Sequence, residues 1–377
     1  MMKRYLGIIT LAAFAFAVCC ANAEEALDSQ SAILRLINTR AAASPKAFEE
    51  AAKVVARDAA NGKALQQYVI AIASMDENAT PSAKIGEKLR KKYLEQARPR
   101  IKALAEKRSN ALAWYLLALE SNDLALLRKA ADAGNIQAMN AWGTISLTDV
   151  LSNPLVATNE TAAVLRKCRD AFARAAALDD ANGLYNLGMC HMRGYGGDCD
   201  FRMALECFRK AAIKGHPEAM NNIGGFYRDG IVVRRDASTA CAWFAKSADK
   251  GNIYGMLNYA LALSRGDGIA ADPERAAKML KECALSGSIE AMNAYAECLR
   301  NGVGCKKDPA EAAKWFLSSA REGFAPAMEG YAASLEEGYA TGKKDLTEAL
   351  AWRMRSRAAR GDRNAAEWLS RNGHSLR

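Results

Sequence analysis

Two 36-residue segments that follow one another without a break decide the fold. Residues 216–251 read HPEAMNNIGGFYRDGIVVRRDASTACAWFAKSADKG, and residues 252–287 read NIYGMLNYALALSRGDGIAADPERAAKMLKECALSG. Each segment opens with a helical run, turns at a glycine-containing stretch, continues after an aspartate into a second helical run and ends on glycine. A fixed period of this length is typical of a repeat protein, in which one small unit stacks on copies of itself.

The same period extends beyond these two segments. The aspartates are spaced by 36, 36, 36 and 37 residues, and the terminal glycines keep the 36-residue interval. Because every copy supplies two helical runs joined by a turn, we predict an all-α fold, an α-solenoid (superhelix) of stacked antiparallel helix pairs. The aspartates are Asp200, Asp236, Asp272, Asp308 and Asp345, and the glycines are Gly215, Gly251, Gly287 and Gly323.

The periodic aspartate is expected to begin the second helix of each copy. Its carboxylate can accept hydrogen bonds from the unpaired backbone N–H groups of the first helical turn. Pro273 follows one of these aspartates, where the missing N–H of proline does no harm. Asp308 with Glu311, and Asp345 with Glu348, have the spacing of a capping box. Caps explain every member of this carboxylate row, so we do not interpret it as catalytic.

Small and aromatic residues recur where the two helices of a copy should touch. The small residues would let the second helix approach closely, and the tryptophans would fill the space on the other side. The terminal glycines suit a left-handed helix C-cap. The small residues are Gly143, Gly188, Gly224, Ala260, Ala296 and Ala332, and the tryptophans are Trp243, Trp315 and Trp352.

Together these features resemble the Sel1-like repeat, a relative of the tetratricopeptide repeat. The shared pattern is Ala-x-x-x-Leu-Gly-x-x-Tyr, then Gly-x-Gly-Val-x-x-Asp, then Ala-x-x-Trp-Phe-x-x-Ala-Ala-x-x-Gly. One copy matches it at Tyr227, Asp236 and Gly251. The resemblance covers residues 109–372 and is clearest over 180–361. It implies a binding role, with the first helix of each pair lining the inner wall of a curved array.

Further helical units are predicted before residue 180. Residues 138–143 open a copy whose inter-helix loop carries about nine extra residues around Asp149–Glu160. Residues 126–134 resemble a second helix whose copy has lost most of its loop. Residues 24–108 lack the glycine period, and we interpret them as divergent helical hairpins that cap the array. A separate small helical domain is the alternative.

The N-terminus, residues 1–23, has the pattern of a secretory signal peptide. Lys3-Arg4 precedes an apolar run, Leu6–Cys20, that is followed by Ala21-Asn22-Ala23. The run is too short for a lasting transmembrane helix, so we predict cleavage after Ala23 and a periplasmic or secreted protein. Lipidation of a cysteine in this segment is the alternative. No second apolar stretch occurs, so no transmembrane segment is expected.

The charge balance argues against a nucleic-acid partner. The chain holds 52 Lys and Arg residues and 42 Asp and Glu residues, a formal net charge of +10 at pH 7. This excess is spread through the helices rather than clustered with aromatic residues, as nucleic-acid binding would require. An acidic protein or peptide partner is compatible with it. We expect a monomer.

Eight cysteines follow the signal segment, and an even number in an exported chain favours disulfides. Cys190 and Cys298 occupy the same repeat position, and each has a second cysteine shortly downstream. We therefore predict the bridges Cys190–Cys199 and Cys298–Cys305. The pairing of the other four is left open; they are Cys168, Cys207, Cys241 and Cys283.

No catalytic, cofactor or metal motif is evident. His191 takes the place of a packing tyrosine and is interpreted as a core or half-buried residue. The chain has no Cys-x-x-Cys and no His-Glu-x-x-His pattern. The glycine-rich Gly194-Tyr195-Gly196-Gly197 lacks the Lys-Ser/Thr of a phosphate loop. We therefore predict a non-enzyme without a cofactor.

A row of asparagines is the first candidate binding feature. Asn186, Asn222 and Asn258 lie 36 residues apart on the first helices of three copies, and Ala294 and Gly330 end the row. The resemblance to tetratricopeptide clamps implies that an asparagine here bonds a peptide backbone or terminal carboxylate. An amide suits this task because it donates and accepts at once. The alternative is that these are merely solvent-tolerant helix positions.

Arginines recur at the ends of the same helices. Their simplest role is to stabilise the helix C-terminus through its dipole. If they face the same groove as the asparagines, the site would favour acidic peptides. They are Arg193, Arg228, Arg265 and Arg300.

These observations favour an exported, non-enzymatic adaptor or scaffold that binds a peptide or protein on the concave face. One alternative is a cell-wall-related hydrolase or penicillin-binding activity, as proposed for cysteine-rich Sel1 relatives. Those relatives place cysteines at positions held here by Ala212 and Met220, which weakens that transfer. The other alternative is a structural component of the envelope or of a secretion system.

Overall fold

The computed structural model describes residues 87–152 and 159–375 of the chain. These residues form 16 α-helices and contain no strand. The helices are α1 (Glu87–Arg108), α2 (Ala111–Ser121), α3 (Leu124–Asp132), α4 (Ile136–Ser152), α5 (Asn159–Ala177), α6 (Ala181–Arg193), α7 (Phe201–Ile213), α8 (Pro217–Asp229), α9 (Ala237–Asp249), α10 (Ile253–Arg265), α11 (Pro273–Leu285), α12 (Ile289–Asn301), α13 (Pro309–Arg321), α14 (Ala325–Glu337), α15 (Leu346–Ala359) and α16 (Arg363–Arg371).

Within each compact unit, helices that are neighbours in sequence pack against each other, from α1 to α6 and from α8 to α16. The even-numbered helices from α4 to α14 are the first helices of the repeats, and the odd-numbered helices from α5 to α15 are the second helices. The chain separates into two compact units, residues 1–207 and residues 208–377, with the division inside α7. The prediction of an all-α solenoid of stacked helix pairs is confirmed.

The predicted aspartate caps are confirmed, because each side chain accepts a hydrogen bond from the first turn of a second helix. Asp200 accepts from the N–H groups of residues 202 and 203, both at 3.0 Å. The other four accept from the N–H group three residues on, at 2.9 to 3.0 Å; they are Asp236, Asp272, Asp308 and Asp345.

The backbone N–H of each capping aspartate is also used, and this changes the capping-box prediction. Asp308 donates its N–H to the carbonyl of Leu299 on the preceding first helix, at 2.8 Å. The reciprocal bond from Glu311 is therefore not formed, and Glu311 pairs with Lys314 at 2.9 Å instead. In each turn between the two helices of a repeat, the capping aspartate thus donates its backbone N–H to the first helix and caps the second helix with its side chain.

The small residues of the first helices allow close contact with the second helices, as predicted. A methyl group added at Gly143 would lie 2.6 Å from the ring of Phe172, and one added at Gly224 would lie 2.5 Å from the ring of Phe244. Both distances are far below van der Waals contact, so only glycine fits. Trp315 packs edge-on against Tyr295 on the neighbouring helix, with ring centres 5.7 Å apart.

A buried hydroxyl near the end of three second helices ties each one to the start of its own first helix. Ser247 donates to the carbonyl of Pro217 at 2.8 Å, and Ser319 donates to that of Ile289 at 2.9 Å. Ser356 makes the same bond, and Cys283 holds the equivalent position with its thiol 3.9 Å from a carbonyl. Cys283 is therefore a structural thiol at a serine position.

The copy with the insertion differs from the prediction. The extra residues do not form only a loop, because α4 continues to Ser152 and α5 begins at Asn159. These two helices have 17 and 19 residues, against 13 in the regular repeats. At the position where glycine ends the regular first helices, this copy has Asp149, and the helix continues through it. Upstream, only Asn122 and Asp123 separate α2 from α3, which confirms the shortened loop.

The predicted signal peptide and residues 24–86 lie outside the described residues. The last part of the predicted cap is α1, whose buried face is Tyr93, Ala97, Ile101 and Ala105 in the core of the first unit. Among the helices that the structure describes, none combines the length and apolar character needed to cross a bilayer.

Candidate functional site

A small cavity lies between α8, α9 and α10 in the unit of residues 208–377. Its volume is about 70 Å³, and its lining includes Arg228, Asn258 and Arg265, three of the residues singled out in the sequence. Phe244 and Leu261 provide apolar wall. A pocket for a whole small molecule has roughly 300–1,000 Å³. This cavity is therefore large enough for one side-chain group but not for a cofactor.

Arg228 is held in place from three directions. Its Nε and Nη2 donate to the two carboxylate oxygens of Asp229 at 2.8 and 2.9 Å. Its Nη1 donates to Oδ1 of Asn258 at 3.4 Å, and its guanidinium carbon lies 5.9 Å from the centre of the Phe244 ring. The hydrogen bonds with Asp229 raise the pKa of Arg228 and lower the pKa of Asp229. Arg228 is therefore charged and held in one position, and Asp229 neutralises part of its charge.

Arg265 is the second cation of the cavity and is exposed. In the described parts of the chain, no ion pair or hydrogen bond engages its side chain. Asp267 is the one acidic residue among those that line the cavity. Because an arginine fork binds carboxylates strongly when it is not otherwise engaged, the rim favours an anionic group.

Asn258 connects two first helices rather than pointing only to solvent. Its Nδ2 donates to Oδ1 of Asn221 on α8 at 2.8 Å, while its Oδ1 accepts from Arg228. The side chain is half-buried. One donor and one acceptor position of its amide are therefore already used. Asn258 orients Arg228 and joins α8 to α10.

The same connection is made in the other unit, at Asn186. Its Nδ2 donates to Oδ1 of Asn140 on α4 at 3.5 Å, and Asn140 donates to Asp180, the N-cap of α6, at 2.7 Å. Asn222 lies half-buried on α8. Sequence reasoning missed this role of the row. The available signal was a second asparagine at the preceding repeat position, as in Asn140 and Asn221.

The end of the row has a structural consequence at Asn293. This residue occupies the repeat position of Asn221, but Gly330 replaces the donor that Asn258 supplies. Among the described residues, Oδ1 of Asn293 is buried without a hydrogen-bond partner. A methyl group at Gly330 would lie 2.5 Å from the ring of Phe316, which leaves no room for an asparagine. At the junction of α10 with α12, Leu257 and Ala294 hold these two positions, and because both are apolar no polar group is left without a partner there.

The arginine row divides between two positions of the repeat. Arg228 and Arg300 lie over phenylalanine rings of their own second helices, with Arg300 5.4 Å from the centre of the Phe316 ring. Arg193 and Arg265 lie one residue later and are exposed at the ends of α6 and α10. Only the arginines of the first pair have a packing role.

The last full repeat reverses the charge at the position of Arg228. Glu336 stands there, and Arg353 stands at the position of the facing phenylalanine. Arg353 donates to both oxygens of Glu336 at 2.9 Å and to Glu329 at 2.8 Å. The hydrogen bond from Arg353 lowers the pKa of Glu336. Sequence reasoning missed this triad, because it needs the pairing of the two helices.

The eight cysteines of the described residues are all free thiols, so neither predicted bridge is formed in the structure. Cys190 has no exposed surface and faces the core, whereas Cys199 is exposed beside Gly194. Cys298 and Cys305 do lie together. Burial and the neighbouring Cys305 raise the pKa of Cys298 to about 11.

His191 is a packed residue, as predicted, with 8% of its surface exposed. Its Nδ1 lies 3.1 Å from Nη2 of Arg169, which is a donor only. Burial and the Arg169 charge lower the pKa of His191. The adjacent Cys190 has a pKa raised to about 11 by burial, so it stays a thiol near neutral pH. This pair does not form an activated nucleophile.

Metal binding has no support in the described residues, which contain no cluster of three or more His, Cys, Asp or Glu side chains suited to hold an ion. The arrangement at the cavity can instead hold one anionic or carbonyl group between a fixed and an exposed arginine.

Comparison with known proteins agrees with the repeat pattern. The family model described as Sel1 repeat matches residues 124–135, 181–216, 217–252, 253–288, 289–324 and 325–352. Its four full-length matches begin one residue after the copies predicted from the glycine period. Among curated proteins, no sequence matches the chain significantly.

The solved structures similar to this chain include two with TM-scores above 0.5. One is a Sel1 repeat protein from Oxalobacter formigenes, 23% identical with a TM-score of 0.55; the match covers 64% of this chain and 94% of that one. The other is a protective antigen of uropathogenic Escherichia coli strains that displays an SLR fold, 24% identical with a TM-score of 0.59. That match covers 83% of this chain and 65% of the antigen.

At this level of identity the two structures establish the fold. Sel1 repeats generally form scaffolds for protein–protein interaction. The family match, the helix pairs and the periodic caps agree, and the chain belongs to the Sel1 repeat family.

Proposed function

We propose that this protein is an exported, non-enzymatic adaptor that binds a peptide or protein through the first helices of its repeats. The cavity between α8, α9 and α10 is its anchor point. One observation carries this proposal: Arg228, Asn258 and Arg265, selected from their repeat positions and from the resemblance to tetratricopeptide clamps, line the same cavity. Its volume of about 70 Å³ suits a single group of a peptide, such as a carboxylate.

The roles of the three residues differ. Arg265 is exposed and supplies the direct contact to an acidic group. Arg228 adds a second positive charge, and its position is fixed by Asp229 and Asn258. Asn258 positions Arg228 instead of clamping the peptide backbone itself. The preferred partner segment therefore carries Asp, Glu or a free C-terminal carboxylate.

A site-specific photo-cross-link tests this function. A benzoylphenylalanine placed at Ser264, one residue before Arg265, should trap a discrete partner from the envelope fraction of the host. The matched control places the same probe at Lys278, an exposed residue of the second helix α11. The trapped band should be absent from the control. It should also weaken as salt rises, because exposed charge pairs are screened.

A second variant separates binding from folding. Arg265→Gln removes the exposed cation without breaking a contact inside the described residues, so the helical circular dichroism should not change. Cross-linking from position 264 should fall at least several-fold. Equal trapping with and without Arg265, or the same partner from position 278, would move the binding site away from this cavity and reject the proposal.

Export is proposed from the N-terminal pattern, and it needs its own test. Cell fractionation and N-terminal sequencing of the mature protein should find a chain that begins at Glu24, in the periplasm or the medium. A chain that retains Met1 in the cytosol would reject export and leave the peptide site unaffected.

A further inference from the structure

Two buried thiols lie on consecutive helices in the unit of residues 1–207. Cys168 is on α5 and Cys190 is on α6, and these helices pack against each other. Neither residue has any exposed surface, and both belong to one apolar core cluster together with Phe172. The core of this unit therefore contains two fully buried thiols on helices that pack against each other.

The repeat symmetry indicates that these two residues face each other. The equivalent positions two copies later are Ala240 on α9 and Ala262 on α10, with the same separation of 22 residues along the chain. Both alanines line the cavity of about 70 Å³ described above, so their methyl groups border one space. By the same symmetry, the side chains of Cys168 and Cys190, both fully buried in one core cluster, are expected to border the corresponding space.

The electrostatics of the two thiols supports this proximity. Burial raises the pKa of Cys190 to about 11. Burial and the Cys190 thiolate together raise the pKa of Cys168 to about 12. A charge affects a neighbouring ionisation strongly only at short range. The thiol that the sequence suggested as the partner, Cys199, is exposed instead, with its sulfur 2.9 Å from where a methyl group on Gly194 would lie.

We propose that Cys168 and Cys190 form a disulfide that joins α5 to α6, in place of the bridge between Cys190 and Cys199. The oxidant is a small or protein disulfide, such as oxidised glutathione. One cysteine thiolate attacks it and releases one glutathione thiol, and the second cysteine then displaces the other. The two cysteines lose two electrons and two protons, and one glutathione disulfide becomes two thiols.

The burial of both thiols determines at which stage of folding the disulfide forms. Inside the folded core they are protonated and shielded, so exchange with an external disulfide is slow. The bridge therefore forms while the chain folds, before the core closes, and afterwards resists reduction. It connects the second helix of one repeat to the first helix of the next. The inference does not depend on the proposed peptide site.

Peptide mapping distinguishes the two possible partners of Cys190. The chain from Glu24 onward is refolded with reduced and oxidised glutathione, and free thiols are blocked with N-ethylmaleimide before tryptic digestion without reductant. Trypsin places Cys168 in residues 168–169, Cys190 in residues 175–193 and Cys199 in residues 194–202. We expect residues 175–193 linked to residues 168–169, and Cys199 fully alkylated.

Thermal unfolding supplies an independent readout. A bridge that closes a loop of this length should raise the Tm of the oxidised protein by roughly 5–10 °C over the reduced protein. Cys168→Ala should fold, because alanine occupies this position in later repeats, for example Ala240 and Ala276. In that variant the Tm should be the same with and without reductant. The control is Cys241→Ala, which introduces the residue that the next repeat has at this position, Ala277. This variant should keep the full Tm difference between the oxidised and the reduced protein.

Two results would overturn the inference. One is a link between residues 175–193 and residues 194–202, which restores the bridge expected from sequence. The other is full alkylation of Cys168 and Cys190 when the oxidised protein is first denatured and then exposed to N-ethylmaleimide. Both results are measured on the protein without substitutions, so they do not depend on the folding of a variant.

Discussion

The junction of α8 with α10 and the junction of α12 with α14 use the same repeat positions with different results. At the first, Asn258 meets Asn221, and the ring of Phe244 borders a cavity. At the second, Gly330 takes the place of Asn258. The ring of Phe316 then packs onto the glycine, and the carbonyl of Asn293 has no partner among the described residues.

The difference shows that one residue decides whether a repeat junction is polar and open or apolar and tight. An asparagine keeps the facing aromatic ring at a distance and joins the helices by a hydrogen bond. A glycine lets the ring approach and leaves the opposite polar group unsatisfied, which is costly when that group is buried. The proposed binding site therefore lies where a spacer residue is present, although the repeats share the same helix pairs and aspartate caps.

The largest effect is expected from Gly330→Asn, which copies the first junction into the second. The added side chain would offer Asn293 a donor, but its Cβ would lie 2.5 Å from the ring of Phe316. We expect a loss of about 2–3 kcal/mol in the free energy of unfolding, since overpacking outweighs one hydrogen bond. Urea unfolding followed by circular dichroism measures it.

The matched control is Gly225→Asn on α8, where no atom lies within 4 Å of the added Cβ. This variant should be neutral or slightly stabilising, since asparagine has a better helix propensity than glycine. If Gly330→Asn were as stable as the control, the tight packing at the second junction would be disproved.

A smaller loss is expected from Asn258→Ala at the first junction. The change leaves Oδ1 of Asn221 without its donor and removes the acceptor of Nη1 of Arg228. We therefore expect a loss of about 1–2 kcal/mol in the free energy of unfolding. The double variant Asn258→Ala with Asn221→Leu reproduces the apolar pair Leu257 and Ala294 of the next junction. It should recover most of the loss in urea unfolding. A double variant less stable than the single one would show that the hydrogen bond is not the cause.

A gain of about 1 kcal/mol is expected from Asn293→Leu, which removes the buried carbonyl and again copies Leu257. The expected readout is a higher Tm with an unchanged circular dichroism spectrum. As a comparison, Asn221→Leu should lower the Tm, because Asn221 is satisfied by Asn258. The same result for both variants would mean that the two asparagines have equivalent surroundings.

The smallest effect is a pH dependence at the triad of Glu329, Glu336 and Arg353. Arg353 holds the pKa of Glu336 below its ordinary value of 4.5. Since the folded pKa is lower than the unfolded one, the stabilisation is present above about pH 4.5 and is lost as the pH falls through the folded pKa. Arg353→Met should therefore cost up to about 1 kcal/mol at pH 7 and less at pH 3.5.

Urea midpoints at the two pH values measure this difference. Lys314→Met is the control, because its pair with Glu311 is more exposed and should contribute little at either pH. A cost of Arg353→Met that is the same at pH 7 and pH 3.5 would reject the assigned role of Glu336.

The sequence by itself determined the features that act over a few residues or repeat with the period. Each aspartate cap joins a side chain to a backbone N–H group three residues further on. Because such local bonds set the start of a helix, the caps could be predicted directly from the sequence. The close contact at Gly143 and Gly224 was also accessible, because a small residue, glycine or alanine, recurs at this position of each helix pair. Even the three residues of the candidate cavity were selected from their repeat positions.

Only the tertiary structure decided which partner each of these residues has. Asn258 meets Asn221 instead of pointing only to solvent, Cys190 is buried while Cys199 is exposed, and α4 and α5 extend into the predicted loop. The physical reason is distance along the chain. Contacts between residues tens of positions apart depend on how closely two helices approach. That approach is set by the size of a single side chain, such as Gly330 or Asn258, together with the ring it faces.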